Sequence, residues 1–475
     1  MNMQDAIAAI IEQKKSGFID LSDRVFDTPE LNFSEFRSSE AHRIMLEEQG
    51  FRVETHVAGI PTALIGEWGS AAPVIAFLGE FDALPGLSQQ PGIAEHRPLP
   101  GSGNGHGCGH NLLGTAALQA ATAAKDYLAA KGLAGTIRYY GCPAEEGGSG
   151  KGFMVRAGVF DDVDAAITWH PAAFSGVQAA ASLACVEADF HFTGRASHAA
   201  AAPHLGRSAL DAVELMNVGV NYLREHMPSS ARVHYALLNG GGIAPNVVQA
   251  EATVRYLVRA RELKGLQELF ARVKKIADGA AMMTETSVTH RIYSGDANLI
   301  GNAPLEELML AQYRHFGVPA WSDEDHAFAR DIQATLGEEE IATAYQRAGK
   351  APHSDTPLTQ TIIAAHEWNT DSLGSTDVGS VSWIVPTVQA SGATYAVGTP
   401  GHSWQLTAQG KQPAAHKGMV HVAKVMAATG IALIENPAEL ERAKRDHQQR
   451  LDGQHYVSPI PDDAEPMLDM ATKQG

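Results

Sequence analysis

No disulfide framework can be drawn through this chain, because its 475 residues hold only three cysteines, Cys108, Cys142 and Cys185. That scarcity fits a reducing compartment, and a cytoplasmic protein is expected. Basic residues are also short: 36 Lys and Arg stand against 54 Asp and Glu, a formal net charge of −18. Such a field repels phosphates and excludes a nucleic-acid partner. It does not exclude a small anionic substrate, since one local cation overrides it. No stretch approaches the ~18 consecutive apolar residues of a membrane span, so no membrane role is expected. The opening MNMQDAIAAIIEQKK lacks a basic run before its apolar residues and reads as an amphipathic helix, not a signal peptide. Two hydrolase signatures, G-x-S-x-G and H-E-x-x-H, are missing: His366-Glu367 is followed by Trp368-Asn369-Thr370. A phosphate-binding loop at Gly150-Lys151 fails as well, with Glu145 where glycine is needed and Gly152 where Ser or Thr is needed.

What the chain does carry is centred on Asn104 to Gly114, NGHGCGHNLLG. His106, Cys108 and His110 alternate among glycines there and run into an Ala-rich helical pattern from about Leu112 to Leu133. In extended backbone, alternate side chains point one way, so Cys108 and His110 converge. Thiolate and neutral imidazole both bind borderline divalent metals. An isolated Cys-x-His among glycines more often marks a plain loop, so the rest of the chain has to decide. The apolar run PVIAFLGEFDALPG reads as a buried strand releasing Glu80 and Asp82 at its end, where open α/β sheets carry chemistry. Asp82 as a simple turn cap is the plainer reading. The strand GTIRYYGCP delivers the adjacent pair Glu145 and Glu146, and DAAITWHP delivers His170. Adjacent carboxylates point in different directions, so one can hold a metal while the other handles a proton.

From about Leu183 the pattern changes. VEADFHFTG alternates as a half-buried strand does, followed by a helix from Ser208 to about His226. Strands at ARVHYALL and VVQAEATVRYLVRA, a helix from Leu263 to Met283 and the strand TSVTHRIYSG complete a β-α-β-β-α-β order, the split βαβ unit. The expected organisation is therefore an α/β catalytic domain in two parts, 1–183 and 297–475, with a ferredoxin-like domain inserted at 184–296. Downstream, strands are expected around SVSWIVPT and ATYAVGT, ending in Gly398 to Ser403, before a last long helix from about Ala414 to Leu433. Trp321 to Asp355 gives no clear pattern, and the Pro-rich end is expected to be loosely held.

Collected, the candidates are Cys108, His110, Glu146, His170 and His402, with Asp82 and Glu145 beside them. By spacing and chemistry alone they suit a metal-assisted hydrolase. Over nearly its whole length the chain also resembles the amidohydrolase branch of the M20 metallopeptidase family. The stretches that carry this are GEFDALPGLSQQ, NGHGCGHNLLGTAA, GCPAEEGGSGK, VDAAITWHP, APHLGRSALDAV and STDVGSVSW. The resemblance implies a mixed-sheet, zinc-peptidase-like catalytic domain with the inserted domain as a lid and dimerisation unit. It implies Cys108, His110, Glu146, His170 and His402 as ligands of one or two divalent ions, Mn2+ or Zn2+. Glu145 would be the general acid/base and Asp82 the carboxylate that orients the site. His198, in Ser197-His198-Ala199-Ala200, would reach an active site across a dimer, and Asn246 and Arg259 would hold a substrate carboxylate. Two positions depart from the pattern: Glu80 stands where the broader family has histidine, and Asn111 where the branch has aspartate.

The implied reaction is hydrolysis of an N-acyl amino acid, with glutamate on the amine side and p-aminobenzoyl-glutamate as the expected substrate. An aminoacylase or dipeptidase with another acyl group is the alternative. So is a non-catalytic partner of a paired hydrolase, and a homodimer or a heterodimer with a paralogous subunit is expected. Against the non-catalytic reading, every matched position is filled by a chemically competent side chain.

Overall fold

The computed structural model describes residues 2–101, 103–371 and 374–470. Its strands begin with β1 (Arg52–Thr55), β2 (Leu64–Gly69), β3 (Val74–Glu80), β4 (Thr136–Cys142), β5 (Ala165–Ala172) and β6 (Ser175–Val177). Then come β7 (Ala184–Thr193), β8 (Arg232–Asn239), β9 (Glu251–Ala260) and β10 (Ser287–Asp296). The last two are β11 (Ile362–Ile363) and β12 (Thr387–Ala393). They form an eight-stranded mixed sheet in the order β1-β2-β4-β3-β5-β12-β6-β11 and a four-stranded sheet in the order β10-β7-β9-β8. In the large sheet β4, β3, β5 and β12 are mutually parallel. Every pairing in the small sheet is antiparallel.

Parallel central strands are buried on both faces, which is why β3 is an unbroken apolar run. Its side chains still alternate. Ile75 and Phe77 enter one core with the Ala-rich helix α3 (His110–Lys131), while Ala76 and Leu78 enter a second core on the opposite face. Of the helices numbered along the chain, α1 (Met3–Phe26) packs into the first core and α2 (Phe36–Glu48) lies beside it. The short α4 (Gly150–Arg156) serves the second. In the small sheet, α5 (Ala209–Leu223) and α6 (Leu263–Thr284) cover one face through a separate core built from Phe190, Met216, Val254 and Phe270.

Chain from 297 onward returns to the large sheet through α7 (Ala303–Phe316), α8 (Asp323–Gln333), α9 (Glu338–Arg347), α10 (Val378–Ser382), α11 (Trp404–Gln409), α12 (Pro413–Glu435) and α13 (Pro437–Leu451). Helix α12 is long and apolar enough to cross a membrane, but 83% of its apolar window is buried inside the fold, as in a core helix.

Three expectations need correction. Ser380 to Trp383 is not strand but the end of α10: Gly379 packs directly against the Ala297 carbonyl, and Trp383 donates its indole N–H to Asn298 O at 2.9 Å. Tertiary packing outweighs the strand-like pattern there. The run Thr394 to Thr399 is also not strand, since β12 ends at Ala393. The Pro-rich end is not loosely held over its described part: Ile460, Met467 and Met470 are buried in the second core. Trp321 to Asp355, which showed no pattern, contains α8 with a Ser322–Asp325 capping box and α9.

Candidate metal centre

Ligand-type side chains gather where the parallel strands β3, β4 and β5 end. Asp82 follows β3, Glu145 and Glu146 follow β4, and His170 lies within β5. Cys108 and His110 reach the same point by a route other than extended backbone. Gly109 sits in the left-handed region at φ 80°, and His110 is already the first residue of α3. The helix can seat His110 against the sheet because Gly114 meets the Glu80 carbonyl, where a Cβ would approach to 2.5 Å. His402 comes from the turn before α11, its amide donating to Gly107 O at 3.0 Å.

The donors fall into overlapping groups, each with ligand atoms within 4.8 Å of one another: Cys108, His110 and His170; Cys108, Glu146 and His402; Glu80, His110 and Glu145. Cys108 Sγ is 3.4 Å from His170 Nε2, and Glu146 Oε1 is 3.3 Å from His402 Nε2. The two adjacent glutamates thus serve different groups.

Asp82 fixes the arrangement from behind. Its Oδ1 accepts from His110 Nδ1 at 3.0 Å, and its Oδ2 accepts from the Glu146 amide at 2.9 Å. Donation from Nδ1 to Asp82 points Nε2 into the cluster, where it can serve as a ligand once it gives up its proton. That Nε2 and Glu146 Oε1 are both buried without a hydrogen-bond partner, 4.0 Å apart, and Glu80 Oε2 lies 3.3 Å from the same nitrogen. Burial opposes a charge on His110, but Cys108 and Asp82 outweigh it and hold the imidazole well above its usual value, so buried acids here call for a cation, a place a divalent ion takes once Nε2 is a ligand. The donor set therefore fits a divalent metal ion.

The loop carrying the glutamates is held in an uncommon conformation, with Ala144 at φ 57°. Glu35, fully buried, accepts from the Ala144 amide at 2.8 Å, and Asn32 Nδ2 donates to Glu146 O at 2.6 Å. Burial, with Asp82 nearby, pushes the Glu35 carboxyl up to about 8.

Electrostatics sort the carboxylates. Burial raises Glu145 well above the usual range, and Glu80 and Glu146 add to it. Glu146 suffers the same burial, but His402 and His110 more than offset it and hold it low. The Cys108 thiol is pushed up by burial and by the Glu146 charge, a situation a bound cation reverses. His402 is raised by Glu146 opposite it, whereas burial and His110 lower His170.

Sequence reasoning missed a second layer. Lys151, fully buried, places Nζ 2.5 Å from Glu80 Oε1 and 2.5 Å from Asp377 Oδ1, and its amide donates to Asp377 Oδ2 at 2.9 Å. Burial alone would strip its proton, but Asp377 and Glu80 hold it charged. The signal was available: Glu80 closes an apolar strand and needs a buried cation, and Lys151 sits just past the Glu145–Glu146 pair.

A cavity of about 470 Å³ opens onto Cys108, Glu145, Glu146, His170 and His402, and Arg259 lines its far side from β9. Arg259 Nε has no hydrogen-bond partner. His198 and Asn246 do not line this cavity. They lie together on the inserted unit, exposed, with Ala199 N donating to Asn246 O at 2.9 Å. His198 Nδ1 accepts from the amides of Ala200 and Ala201, which leaves its Nε2–H as a free donor.

Comparison with known proteins agrees with this geometry. Residues 76–411 match the model of peptidase family M20/M25/M40. Over 96% of its length the chain is 49% identical to one subunit of the p-aminobenzoyl-glutamate hydrolase of Escherichia coli K12, covering 97% of that protein. It is 33% identical to another subunit of the same hydrolase over 47% of this chain and 53% of that one. Among solved structures, a dinuclear metal-binding M20 peptidase from Bacillus subtilis superposes with a TM-score of 0.54 at 18% identity, over 89% of this chain and 99% of that one.

Proposed function

The chain belongs to peptidase family M20/M25/M40 and is a metal-dependent amidohydrolase, and from that premise we propose that it cleaves p-aminobenzoyl-glutamate to p-aminobenzoate and glutamate. The observation that carries the substrate is the 49% identity, across 96% of the chain, to a hydrolase named for that compound. Cys108, His110, Glu146, His170 and His402 would hold one or two divalent ions, Mn2+ or Zn2+, two of the three donor groups sharing Cys108. A divalent ion there supplies Lewis-acid polarisation of the amide carbonyl and a lower pKa for water.

The protein's own groups do the rest. Arg259, which lines the cavity and has an unpaired Nε, binds a glutamate carboxylate through parallel hydrogen bonds and sets the amide over the donor cluster. Glu145 takes a proton from the attacking water and passes it to the departing nitrogen; a carboxyl raised by burial is suited to carry it. Asp82 keeps His110 in the tautomer whose Nε2 is a ligand. His198 Nε2–H donates to the developing oxyanion, and Asn246 adds to carboxylate binding, both from a neighbouring chain, because neither lines the cavity of its own chain.

In this reading 184–296 is a lid and dimerisation domain flanked by 1–183 and 297–475. Pairing occurs through the β8 edge, with a second copy or with a paralogous chain of the kind the E. coli hydrolase contains. The three unpaired cysteines support a cytoplasmic site of action. The test is release of glutamate by the purified chain, alone, from p-aminobenzoyl-glutamate and from a panel of N-acyl glutamates, N-acyl aspartates and dipeptides. Preference for p-aminobenzoyl-glutamate is expected. A metal-loaded chain inert on all of them would favour a non-catalytic partner role.

A further inference from the structure

A second cavity of about 370 Å³ shares His170, Gln178, Ala179 and Ala181 with the first. Beyond His170 its walls change character, to Phe174, Trp368 and Tyr395, with Arg347 also lining it. These walls are set. Phe174 is buried and meets the Trp368 ring edge-on, with centroids 6.4 Å apart and planes at 89°. Trp368 donates its indole N–H to Val177 O at 2.8 Å, and the Tyr395 hydroxyl donates to Pro171 O at 3.3 Å. With their polar tips tied to the backbone, both residues offer the cavity ring surface. Arg347, in the last turn of α9, is exposed, and its guanidinium makes no hydrogen bond or ion pair among the described residues. Backbone pairing of Asn369 N with Arg347 O at 2.8 Å ties the Trp368 segment to that helix.

We propose that this second cavity is the acyl subsite, built for a planar aromatic acyl group, with Arg347 covering the ring where the cavity meets solvent. The inference rests on the amidohydrolase reading and deepens it. The scissile carbonyl must lie at the donor cluster, and Arg259 draws the amino-acid carboxylate into the first cavity. The acyl group then extends the other way, past His170. Aromatic walls reward an aromatic guest by offset or edge-on stacking, and a free guanidinium stacks on an electron-rich ring. An aliphatic acyl group gains neither contact. The helical segment supplying α9 and Trp368 is thereby a specificity element, not a spacer.

Two measurements test this. The first is calorimetric titration of metal-stripped protein with p-aminobenzamide and with hexanamide, neutral probes with no carboxylate for Arg259. Trp368→Ala is expected to weaken p-aminobenzamide binding about tenfold, and Arg347→Ala several-fold, with smaller changes for hexanamide. The second is the ratio of kcat/KM for p-aminobenzoyl-glutamate over hexanoyl-glutamate, which should fall about tenfold in Trp368→Ala and recover largely in Trp368→Phe. Arg347 is exposed, so its variant keeps the test open if Trp368→Ala fails to fold. Should both the binding difference and the kinetic ratio survive in Arg347→Ala and, where it folds, in Trp368→Ala, the subsite is refuted. If loaded wild-type protein cleaves neither acyl-glutamate, the functional reading falls, while the titrations still decide the subsite.

Discussion

The two regions treat their candidate site groups in opposite ways. At the end of β3, Glu80, Asp82, His110 and Lys151 are buried, and each is placed by a charged neighbour: Lys151 between Glu80 and Asp377, His110 against Asp82. On the inserted unit, Arg259 has an unpaired Nε, while His198 and Asn246 are exposed. The strands differ likewise. β3 is buried almost throughout, whereas the edge strand β8 exposes Tyr235 at 41%, Leu237 at 54% and Leu238 at 49%. An apolar edge left open in this way invites another strand. The body carries a preorganised donor cluster, and in the proposed function the insert carries the groups that substrate and a second chain would partner.

The sharpest break between the two regions is metal removal. Chelation should abolish hydrolysis, with Mn2+ or Zn2+ restoring it, while His198→Ala retains metal by elemental analysis. Full turnover in metal-stripped protein would end the distinction. Next in size is the pair of glutamates. Glu145→Gln should lower kcat about 10²–10⁴-fold while keeping metal, whereas Glu146→Gln should lose metal itself. Equal metal content and equal rates in both variants would show that the two groups are not divided as described.

Much of this body was legible in the sequence, and the reasons are physical. Parallel strands are buried on both faces, so β3 and β5 read as apolar runs, and the ligand types stood at their ends. The split βαβ order was legible because its central strands β7 and β9 are half-buried and alternate. Lys151 was not: a buried lysine is recognisable only through its acids, and Asp377 lies 226 residues away. The exposed pair His198 and Asn246 carried no signal beyond family resemblance, because they lie on irregular loops with no periodic burial to read. Ser380–Ser382, the end of α10, was misread as strand because its strand-like pattern is overridden by packing on Ala297.

Lys151→Met sharpens the same contrast by stability. Removing the cation leaves Glu80 and Asp377 buried and unpaired, and about 3–5 kcal/mol should be lost in denaturant unfolding. Arg207→Met should cost about 1 kcal/mol, because it removes an ion pair with the exposed Glu285 and two peripheral hydrogen bonds, to His204 O and Gly206 O. Comparable losses at the two sites would contradict the burial argument.

The most gradual contrast is a pH dependence carried mainly by the body. His42 and His421 are buried there, and burial lowers each from 6.5 to about 4. The unfolded chain binds these protons first, so stability is full above pH 6.5 and declines as pH falls toward 4, by up to about 3 kcal/mol per histidine. Substituting His42 by Gln should flatten part of that slope. An unchanged slope in urea titrations across this window would show that His42 does not contribute to it.

The central claim is that a complete metal centre in one chain is finished by His198 from another. Its most direct test mixes two inactive chains, Glu145→Gln and His198→Ala, under conditions that let dimers exchange their chains. Each mixed dimer would hold one site with both groups intact, so recovered activity approaching about one quarter of wild type is expected for free statistical exchange between equal amounts, as roughly half the dimers are hybrids with one of two sites competent. No recovered hydrolysis in verified hybrid dimers would contradict the claim and return His198 to its own chain.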